Sequence, residues 1–248
     1  MHFSVFNKGF KMTFLEITQV LLQGFGITCL LFALTLVFAI PLGLAFSFGS
    51  MSKFKFIKVP FKIFIWIIRG IPLMLFIFVI YYLPSLLADG NASINIFNNI
   101  DLKFTIAKGS SQLLWQGRFL AVLIAFVVNY ACYFSEIFRG GIESVSKGQY
   151  EAGYVLGLTK SQVFRKIILK QVIKRIVPAL SNEIITLVKD TALANAIAIP
   201  EIIKCAKDMA SSQALIWPIF YTAVFYLAFV GIVTILLGKI EKKLSYFN

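Results

Sequence analysis

Long apolar runs are the feature that most restricts what this chain of 248 residues can fold into. A helix needs roughly 20 residues to cross the hydrocarbon of a bilayer, which is about 30 Å thick. Five runs have about that length, at residues 26–48, 63–83, 119–138, 178–200 and 215–238. The first is much longer than the apolar core of a signal peptide, so we expect a retained helix. The sequence therefore predicts an all-α membrane protein with five transmembrane helices.

The composition excludes several other classes of protein. Apolar residues make up 59% of the chain and charged residues 14%, whereas soluble domains have about 45–50% and about 25%. The single histidine, His2, leaves little room for a His-ligated metal or a His-based catalytic triad. Cys29, Cys132 and Cys205 form no CxxC pair, so we expect no disulfide framework. We predict neither a metal site nor catalytic residues.

The distribution of basic residues predicts the orientation in the membrane. The net charge is +13, but nucleic-acid binding would require this charge on one soluble surface. Fifteen of the 24 Lys and Arg residues lie in residues 49–62, residues 139–177 and the C-terminal tail. Seven others lie in the alternate segments. The positive-inside rule then places the N-terminus outside and the C-terminus inside, as an odd number of spans requires.

Residues 139–177 form the largest segment that this topology places in the cytoplasm. Ala152, Val155 and Leu156 recur at i, i+3 and i+4, which indicates one face of a short helix. Gly157 suits the left-handed residue that closes such a helix. Thr159 and Gln162 have the spacing of a capping box, so a second helix should begin there. The segment is therefore predicted to be a helical hairpin on the cytoplasmic surface.

Several motifs of this chain resemble those of a known family. The run Glu151, Ala152 and Gly153, followed by Gly157 and then by Ile167 and Leu169, resembles the EAA loop of ABC importer permeases. The surroundings are similar to the polar amino-acid uptake subfamily (the histidine, glutamine and glutamate permeases). They comprise RGIPL at Arg69–Leu73, SEIFRGGI at Ser135–Ile142, KGQ at Lys147–Gln149, LVKDTAL at Leu187–Leu193, and Pro200 with Glu201. The resemblance extends from about Gln23 to Lys243, except for residues 84–118.

Three positions depart from the family pattern. Gly153 replaces the usual second Ala of the EAA run, although it is also small. Lys170 stands where the loop usually ends in Pro. Ile71 precedes Pro72 where the family has a TP pair.

The resemblance implies a type I ABC importer permease fold and a bacterial inner-membrane, multi-pass location. One permease domain would cover residues 1–248, with a core at about 20–243, a periplasmic insertion at about 84–118 and a cytoplasmic coupling loop at about 139–177. The implied partners are two ABC ATPase subunits, a second permease copy or paralogue, and an extracytoplasmic amino-acid-binding protein. The implied function is translocation of a polar amino acid.

The coupling loop would contact the ATPase through a short helix with small residues. The candidate coupling residues are Glu151, Ala152, Gly153, Gly157 and Leu158. We expect Ala152 and Gly153 to approach a groove on the ATPase and Glu151 to bind at its rim. The alternative for the same helix is an amphipathic surface at the lipid headgroups. The chain has no GxxxxGK[ST] motif, so ATP-Mg would be used by the partner ATPase, and this chain is predicted to bind no cofactor and to be no enzyme.

Polar residues recur at helical spacing within two of the apolar runs. Because an ionisable group at bilayer depth costs roughly 2.5–3.5 kcal/mol, each should face a partner or water. We hypothesise that they line the substrate pathway or its gate. The alternative is pairing between helices that only holds the bundle together. The candidates are Arg69, Asn129, Tyr133, Glu136, Glu183, Thr186, Lys189 and Asp190, with Arg69 a natural partner for one of the carboxylates.

Two other functional classes fit the sequence less well. A gradient-coupled secondary amino-acid transporter would also need intramembrane acids, but the absence of a visible internal repeat in the sequence disfavours it. An intramembrane enzyme is disfavoured because the sequence has no HExxH motif and no second histidine that could activate a serine.

Overall fold

The computed structural model describes residues 12–87, 102–104, 113–115 and 117–244. Within these residues the chain is almost entirely helical. The α-helices are α1 (Phe14–Ser50), α2 (Lys55–Gly70), α3 (Leu73–Leu87), α4 (Gly117–Glu143), α5 (Lys147–Val155), α6 (Lys160–Val163), α7 (Leu169–Asp190), α8 (Ile202–Gln213) and α9 (Trp217–Leu244). A π-helical segment, Phe164–Ile168, joins α6 to α7, and a 3₁₀ helix, Thr191–Ile197, follows α7.

Two short strands lie within the segment expected to be an extracellular insertion. Strands β1 (Leu102–Phe104) and β2 (Leu113–Trp115) pair antiparallel, with Lys103 opposite Leu114. The alternating stretch Ser93–Phe97, where the sequence suggests a short strand or a surface loop, lies outside the described residues. So does most of the predicted insertion.

Among the described residues, three helices are long and apolar enough to cross a membrane by themselves: α1, α4 and α9. They correspond to the first, third and fifth predicted spans. Helices α2 and α3 meet the same criterion only as a pair interrupted between them, which would raise the number to four. The fourth predicted span, residues 178–200, falls on α7 and the 3₁₀ helix, where Glu183, Lys189 and Asp190 interrupt the apolar sequence.

The second predicted span, residues 63–83, is therefore two helices. The backbone of Ile71 is extended, with φ −94° and ψ 129°. A residue that precedes proline is driven out of the helical region, because the proline ring collides with its backbone. Pro72 itself has no N–H to continue the helical hydrogen bonds. Its carbonyl instead accepts the first such bond of α3, from the N–H of Phe76 at 3.1 Å.

Helix α1 begins well before the apolar run that predicted it. The Glu16 carboxylate accepts a hydrogen bond from the Thr13 N–H at 2.7 Å, and the Thr13 hydroxyl accepts one from the Glu16 N–H at 3.4 Å. This reciprocal pair is a capping box, and it fixes the helix start near Phe14. With 37 residues, α1 is about 55 Å long.

The described helices belong to two compact units. The first comprises the described residues of Met1–Leu34, Pro72–Phe126 and Asp190–Tyr226, and the second those of Thr35–Ile71, Val127–Lys189 and Leu227–Asn248.

In the first unit, the added turns of α1 pack against α8. Ile17 and Leu21 of α1 are buried together with Ile202, Ala206 and Met209 of α8. Gly24 lets the two helices approach closely, because a Cβ at this position would lie 2.9 Å from the Ile202 Cα. Burial of these apolar side chains explains why α1 extends beyond its membrane-length run.

In the second unit, α4 and α7 pack around the turn that leads into α5. The buried core there comprises Val145, Val163, Ile168 and Val172. These four residues come from the α4–α5 turn and from the continuous helix of residues 160–190. The predicted hairpin is thus built on one small apolar core of its own.

Candidate functional site

The hairpin of residues 147–177 has the caps that its sequence predicts. Gly157 is left-handed, with φ +74°. Around it the Leu158 N–H donates to the Gly153 carbonyl at 3.1 Å and the Gly157 N–H donates to the Tyr154 carbonyl at 2.9 Å. This is the Schellman arrangement that ends a helix. The prediction of a glycine-closed helix is confirmed.

The second helix of the hairpin begins at the predicted capping box. The Thr159 hydroxyl accepts a hydrogen bond from the Gln162 N–H at 3.3 Å, and the Gln162 side chain accepts one from the Thr159 N–H at 2.9 Å. The helix then passes through the π-helical segment into α7. The capping box is confirmed, whereas the π-helical turn is not predicted by the sequence pattern.

Gly153 does not lie on the outer surface of the hairpin, where a residue that contacts the ATPase would lie. It is buried, and a Cβ on it would lie 2.7 Å from Cγ2 of Val163 in the second helix. Gly153 therefore faces the inside of the hairpin instead of an external groove. Its small size serves the contact between the two helices of the hairpin, and the expectation of a direct contact with the ATPase is corrected at this position.

The other face of α5 is exposed and largely apolar. Tyr154, Val155 and Leu156 are 44%, 87% and 75% exposed. Glu151 and Ala152 are also exposed on the same short helix. We call Glu151–Leu156, without Gly153, the apolar tip of the hairpin. A cluster of exposed apolar side chains beside a carboxylate is typical of a protein contact surface or a membrane contact surface.

A charged cluster joins α2 to α4 in the second unit. Nη1 of Arg69 lies 3.8 Å from Oε2 of Glu136, and the Arg69 guanidinium lies 5.0 Å from the centre of the Tyr133 ring. The predicted pairing of Arg69 with a carboxylate is thus confirmed. Nη2 of Arg139, which was not among the candidates, donates to Oε2 of Glu136 at 2.6 Å, and its Nη1 donates to Glu143 at 2.6 Å. The cluster alternates two cations and two anions.

Asn129 lies on the same helix as this cluster and is only 4% exposed. Its spacing from Tyr133 and Glu136 places all three on one face of α4. The structure therefore brings together Arg69, Tyr133 and Glu136, with Asn129 further along the same stripe.

The α7 candidates lie along one helix as predicted. Thr186 is exposed, and its hydroxyl donates to the Asn182 carbonyl one turn earlier at 3.0 Å. Lys189 is exposed, whereas Glu183 and Asp190 are half-buried.

Sequence reasoning missed a buried carboxyl group in the first unit. Glu201 is completely buried, and its carboxylate accepts hydrogen bonds from the N–H groups of Ile203 at 2.9 Å and Lys204 at 2.7 Å. It therefore caps the N-terminus of α8. Burial raises the pKa of Glu201 to about 7. The Pro200–Glu201 pair was noted as a family motif, but nothing local in the sequence shows that the carboxyl group is buried.

Hydroxyl groups surround this carboxylate. The Tyr226 hydroxyl donates to Oε2 of Glu201 at 3.4 Å. It is also hydrogen-bonded to the side chains of Thr28 and Thr191, both of which are completely buried. The network connects α1, the 3₁₀ helix, α8 and α9 within the first unit.

The described residues contain no group of three or more His, Cys, Asp or Glu side chains that could hold a metal ion.

Comparison with known proteins gives a family and several relatives. The family described as "Binding-protein-dependent transport system inner membrane component" matches residues 18–246. The chain is 30% identical over 227 residues to "Probable amino-acid ABC transporter permease protein YckA" of Bacillus subtilis, covering 91% of this chain and 89% of that relative. It is 31% identical over 236 residues to "Arginine ABC transporter permease protein ArtM" of Haemophilus influenzae, covering 95% and 96%.

A solved structure is similar over nearly the whole chain. It is titled "Crystal structure of an amino acid ABC transporter with histidines", is 28% identical and has a TM-score of 0.75, covering 94% of this chain and all of that one. The all-helical permease fold is therefore shared, and the ABC-transporter interpretation is favoured over a gradient-coupled transporter. The chain belongs to the family of inner-membrane components of binding-protein-dependent transport systems.

Proposed function

We propose that this chain is the permease subunit of an ATP-driven importer for a polar amino acid in the bacterial inner membrane. The observation that carries the proposal is the match along nearly the whole chain to permeases named for amino acids, such as ArtM for arginine. Two surfaces of the chain are candidates for carrying out this function. They are the exposed apolar tip of the hairpin, for contact with the ATPase, and the charged cluster on α4, for contact with the substrate.

The proposed topology has five spans, with the N-terminus outside and the C-terminus inside. Helix α7 with its 3₁₀ extension would be the fourth span, and α2 with α3 the second. The charges of α7 would then face the interior of the bundle, where an ionisable group finds partners. The distribution of Lys and Arg supports this orientation. One permease domain would cover residues 1–248, with its core at 20–243, the periplasmic insertion at 84–118 and the coupling loop at 139–177.

In this arrangement the apolar tip of the hairpin would dock on a partner ATPase. Glu151, Ala152, Val155 and Leu156 would form the contact, while Gly157 and Leu158 shape the turn beyond it. Closure of two ATPase subunits on ATP-Mg would move the hairpin as a rigid body and switch the attached helices. The chain itself would bind no cofactor and catalyse no reaction, because ATP hydrolysis belongs to the ATPase.

Within the charged cluster on α4, Arg69, Tyr133 and Glu136 are the candidate part of the substrate pathway. A zwitterionic solute carries one carboxylate and one ammonium group. Arg69 and Glu136 present the complementary charges, both partly exposed, and Tyr133 offers a ring to a cation. Asn129, Glu183, Thr186, Lys189 and Asp190 would line the same pathway or its gate.

The complete transporter would contain two permease chains, two ATPase subunits and an extracytoplasmic binding protein. The second permease chain would be a copy of this one or a paralogue. The binding protein would deliver the amino acid to the outer side.

Stimulation of ATP hydrolysis by the loaded binding protein tests this function. The assembled complex is placed in nanodiscs with the binding protein and a panel of basic, acidic and amide amino acids. We expect one group of polar amino acids to stimulate hydrolysis and the others to leave it at the basal rate. Equal rates with every amino acid, or no ATPase bound to the permease, would contradict the proposal.

A further inference from the structure

The turn between α4 and α5 is tied to α7 by an arginine. Nη1 of Arg175 donates hydrogen bonds to the Ser144 carbonyl and, at 2.9 Å, to the Ser144 hydroxyl. The Ser144 hydroxyl in turn donates to the Gly141 carbonyl at 2.7 Å. The last carbonyls of a helix have no partners within the helix and carry partial negative charge. Arg175 thus caps the C-terminal end of α4 from a neighbouring helix.

The two helices also touch directly beside this arginine. A Cβ at Gly141 would lie 2.2 Å from Cγ2 of Ile176 and 3.4 Å from Cγ1 of Val172. A side chain larger than hydrogen fits at residue 141 only if Ile176 changes its rotamer or α7 moves. Val145, just beyond Ser144, is buried against Val172 in the same apolar core. The end of α4 is therefore held by both polar and steric contacts.

A second polar contact lies one turn earlier on α7. Nε2 of Gln171 donates to Oε1 of Gln149, in the first turn of α5, at 3.0 Å. Gln171 and Arg175 are four residues apart, so they lie on the same face of α7. Together they contact the chain on both sides of the α4–α5 turn.

These contacts follow the π-helical segment of the hairpin. Residues 164–168 interrupt the regular hydrogen bonds between α6 and α7, and such interruptions are frequent where a helix serves a function. Side-chain contacts beyond the interruption give a second mechanical connection from α5 to the long helices α4 and α7.

We propose that Arg175 is a positioning residue that transmits movement of the docked α5 helix to α4 and α7. The proposal rests on the function proposed above. Without the Arg175 contact, the tip would still dock on the ATPase, because none of its residues is altered. The hairpin would then rotate about the α4–α5 turn when the ATPase subunits close. Fewer solute molecules would be transported for each ATP hydrolysed.

The test is Arg175→Gln in the complete complex, with three measurements. They are the amount of ATPase that co-purifies, the rate of ATP hydrolysis, and the number of solute molecules taken up per ATP. We expect normal co-purification and a severalfold fall in solute per ATP, because α5 is then connected to α4 and α7 by fewer contacts. Arg175→Lys, which keeps the charge and loses the fork of donors, should recover part of the ratio.

Lys170→Gln is the matched control, since Lys170 is an exposed cation on the same helix. The number of solute molecules taken up per ATP by this variant should equal that of the unchanged complex. Gln171→Met is measured in parallel, because it removes the second contact without a change of charge and keeps the test valid if the Arg175→Gln permease fails to fold.

An unchanged ratio of solute to ATP in Arg175→Gln, or in Gln171→Met where the Arg175→Gln permease fails to fold, would overturn the proposal. Loss of the ATPase from the purified complex would also overturn it, because that result assigns Arg175 to docking. The unchanged complex must itself show ATP-driven uptake. Its failure would count against the proposed function and not against the role of Arg175.

Discussion

Gly153 packs directly against Val163, so closely that a Cβ at residue 153 would lie 2.7 Å from one methyl group of the valine and 3.1 Å from the other. The contact joins the two helices of the hairpin. A valine side chain cannot move its methyl groups away without rotation of the whole side chain. The two helices can therefore pack at this distance because residue 153 is a glycine, which has no Cβ.

The first prediction concerns that contact. Gly153→Ala should destabilise the hairpin by about 1–3 kcal/mol, the usual range for overpacking a buried site. Thermal unfolding of the purified complex measures the change. The double variant Gly153→Ala with Val163→Ala should recover much of the loss, because it removes the colliding methyl groups.

Gly148→Ala is the matched control in the same helix. A Cβ there meets no atom within 4 Å, and alanine favours the helix over glycine by up to about 1 kcal/mol. We expect unchanged or slightly raised stability. A Gly153→Ala variant as stable as Gly148→Ala would contradict the described packing.

The second prediction concerns the apolar tip. Leu156→Glu should prevent the ATPase from co-purifying with the permease, because it places a charge in the proposed contact. The leucine is 75% exposed, so stability of the permease alone should change by no more than about 0.5 kcal/mol. Lys170→Glu, also exposed on the hairpin, serves as the charge-changing control. Normal ATPase recovery with Leu156→Glu would favour the alternative in which the tip lies at the lipid headgroups.

These features show what the sequence could and could not predict. Gly157 and the Thr159–Gln162 box were predictable because each depends on hydrogen bonds within about four residues. The membrane-length helices α1, α4 and α9 followed from apolar runs alone. The pairing of Arg69 with a carboxylate was predictable because an ionisable group in an apolar run needs a partner.

Features that depend on contacts distant in the chain were not predictable. The face of α5 that Gly153 occupies is decided by Val163 across the hairpin, and the spacing of small residues says nothing about which face turns inward. The added turns of α1 are stabilised by α8, nearly 200 residues later. The surroundings of Glu201 likewise include a residue of another helix, Tyr226, whose hydroxyl group donates a hydrogen bond to the buried carboxylate.

The third prediction is a pH dependence of stability due to Glu201. Burial raises its pKa from the usual 4.5 to about 7. Below pH 4.5 the group is protonated in both the folded and the unfolded chain, so this stabilisation is fully present. Between about pH 4.5 and 7 the unfolded chain releases the proton while the folded chain keeps it, so the free energy of unfolding falls as the pH rises. The loss is complete above the folded pKa.

Glu201→Gln should remove this dependence, because an amide does not titrate in this range. Melting temperatures of the two proteins, measured from about pH 5 to pH 8, give the comparison. We expect the unchanged protein to lose stability relative to the Gln variant as the pH rises. Parallel curves would contradict the raised pKa of the buried carboxyl group.

The fourth prediction separates the two roles considered for the α4 cluster. Glu136→Gln leaves Arg69 and Arg139 without their shared carboxylate. If Glu136 lines the pathway, as we propose, the KM for uptake should rise, whatever the effect on the melting temperature of removing a partner of Arg69 and Arg139. Glu143→Gln, whose side chain is 56% exposed beside Arg139, is the control and should leave KM unchanged. A lower melting temperature with an unaltered KM would assign Glu136 to holding the helices together.

The central claim is that this permease works in an ATP-driven importer. Its most direct test is amino-acid uptake into proteoliposomes that contain the assembled complex, ATP-Mg on the ATPase side and the loaded binding protein on the other. The account predicts uptake that requires ATP and the binding protein and continues when an ionophore collapses the ion gradients. Uptake that persists without ATP and stops when the gradients collapse would contradict it.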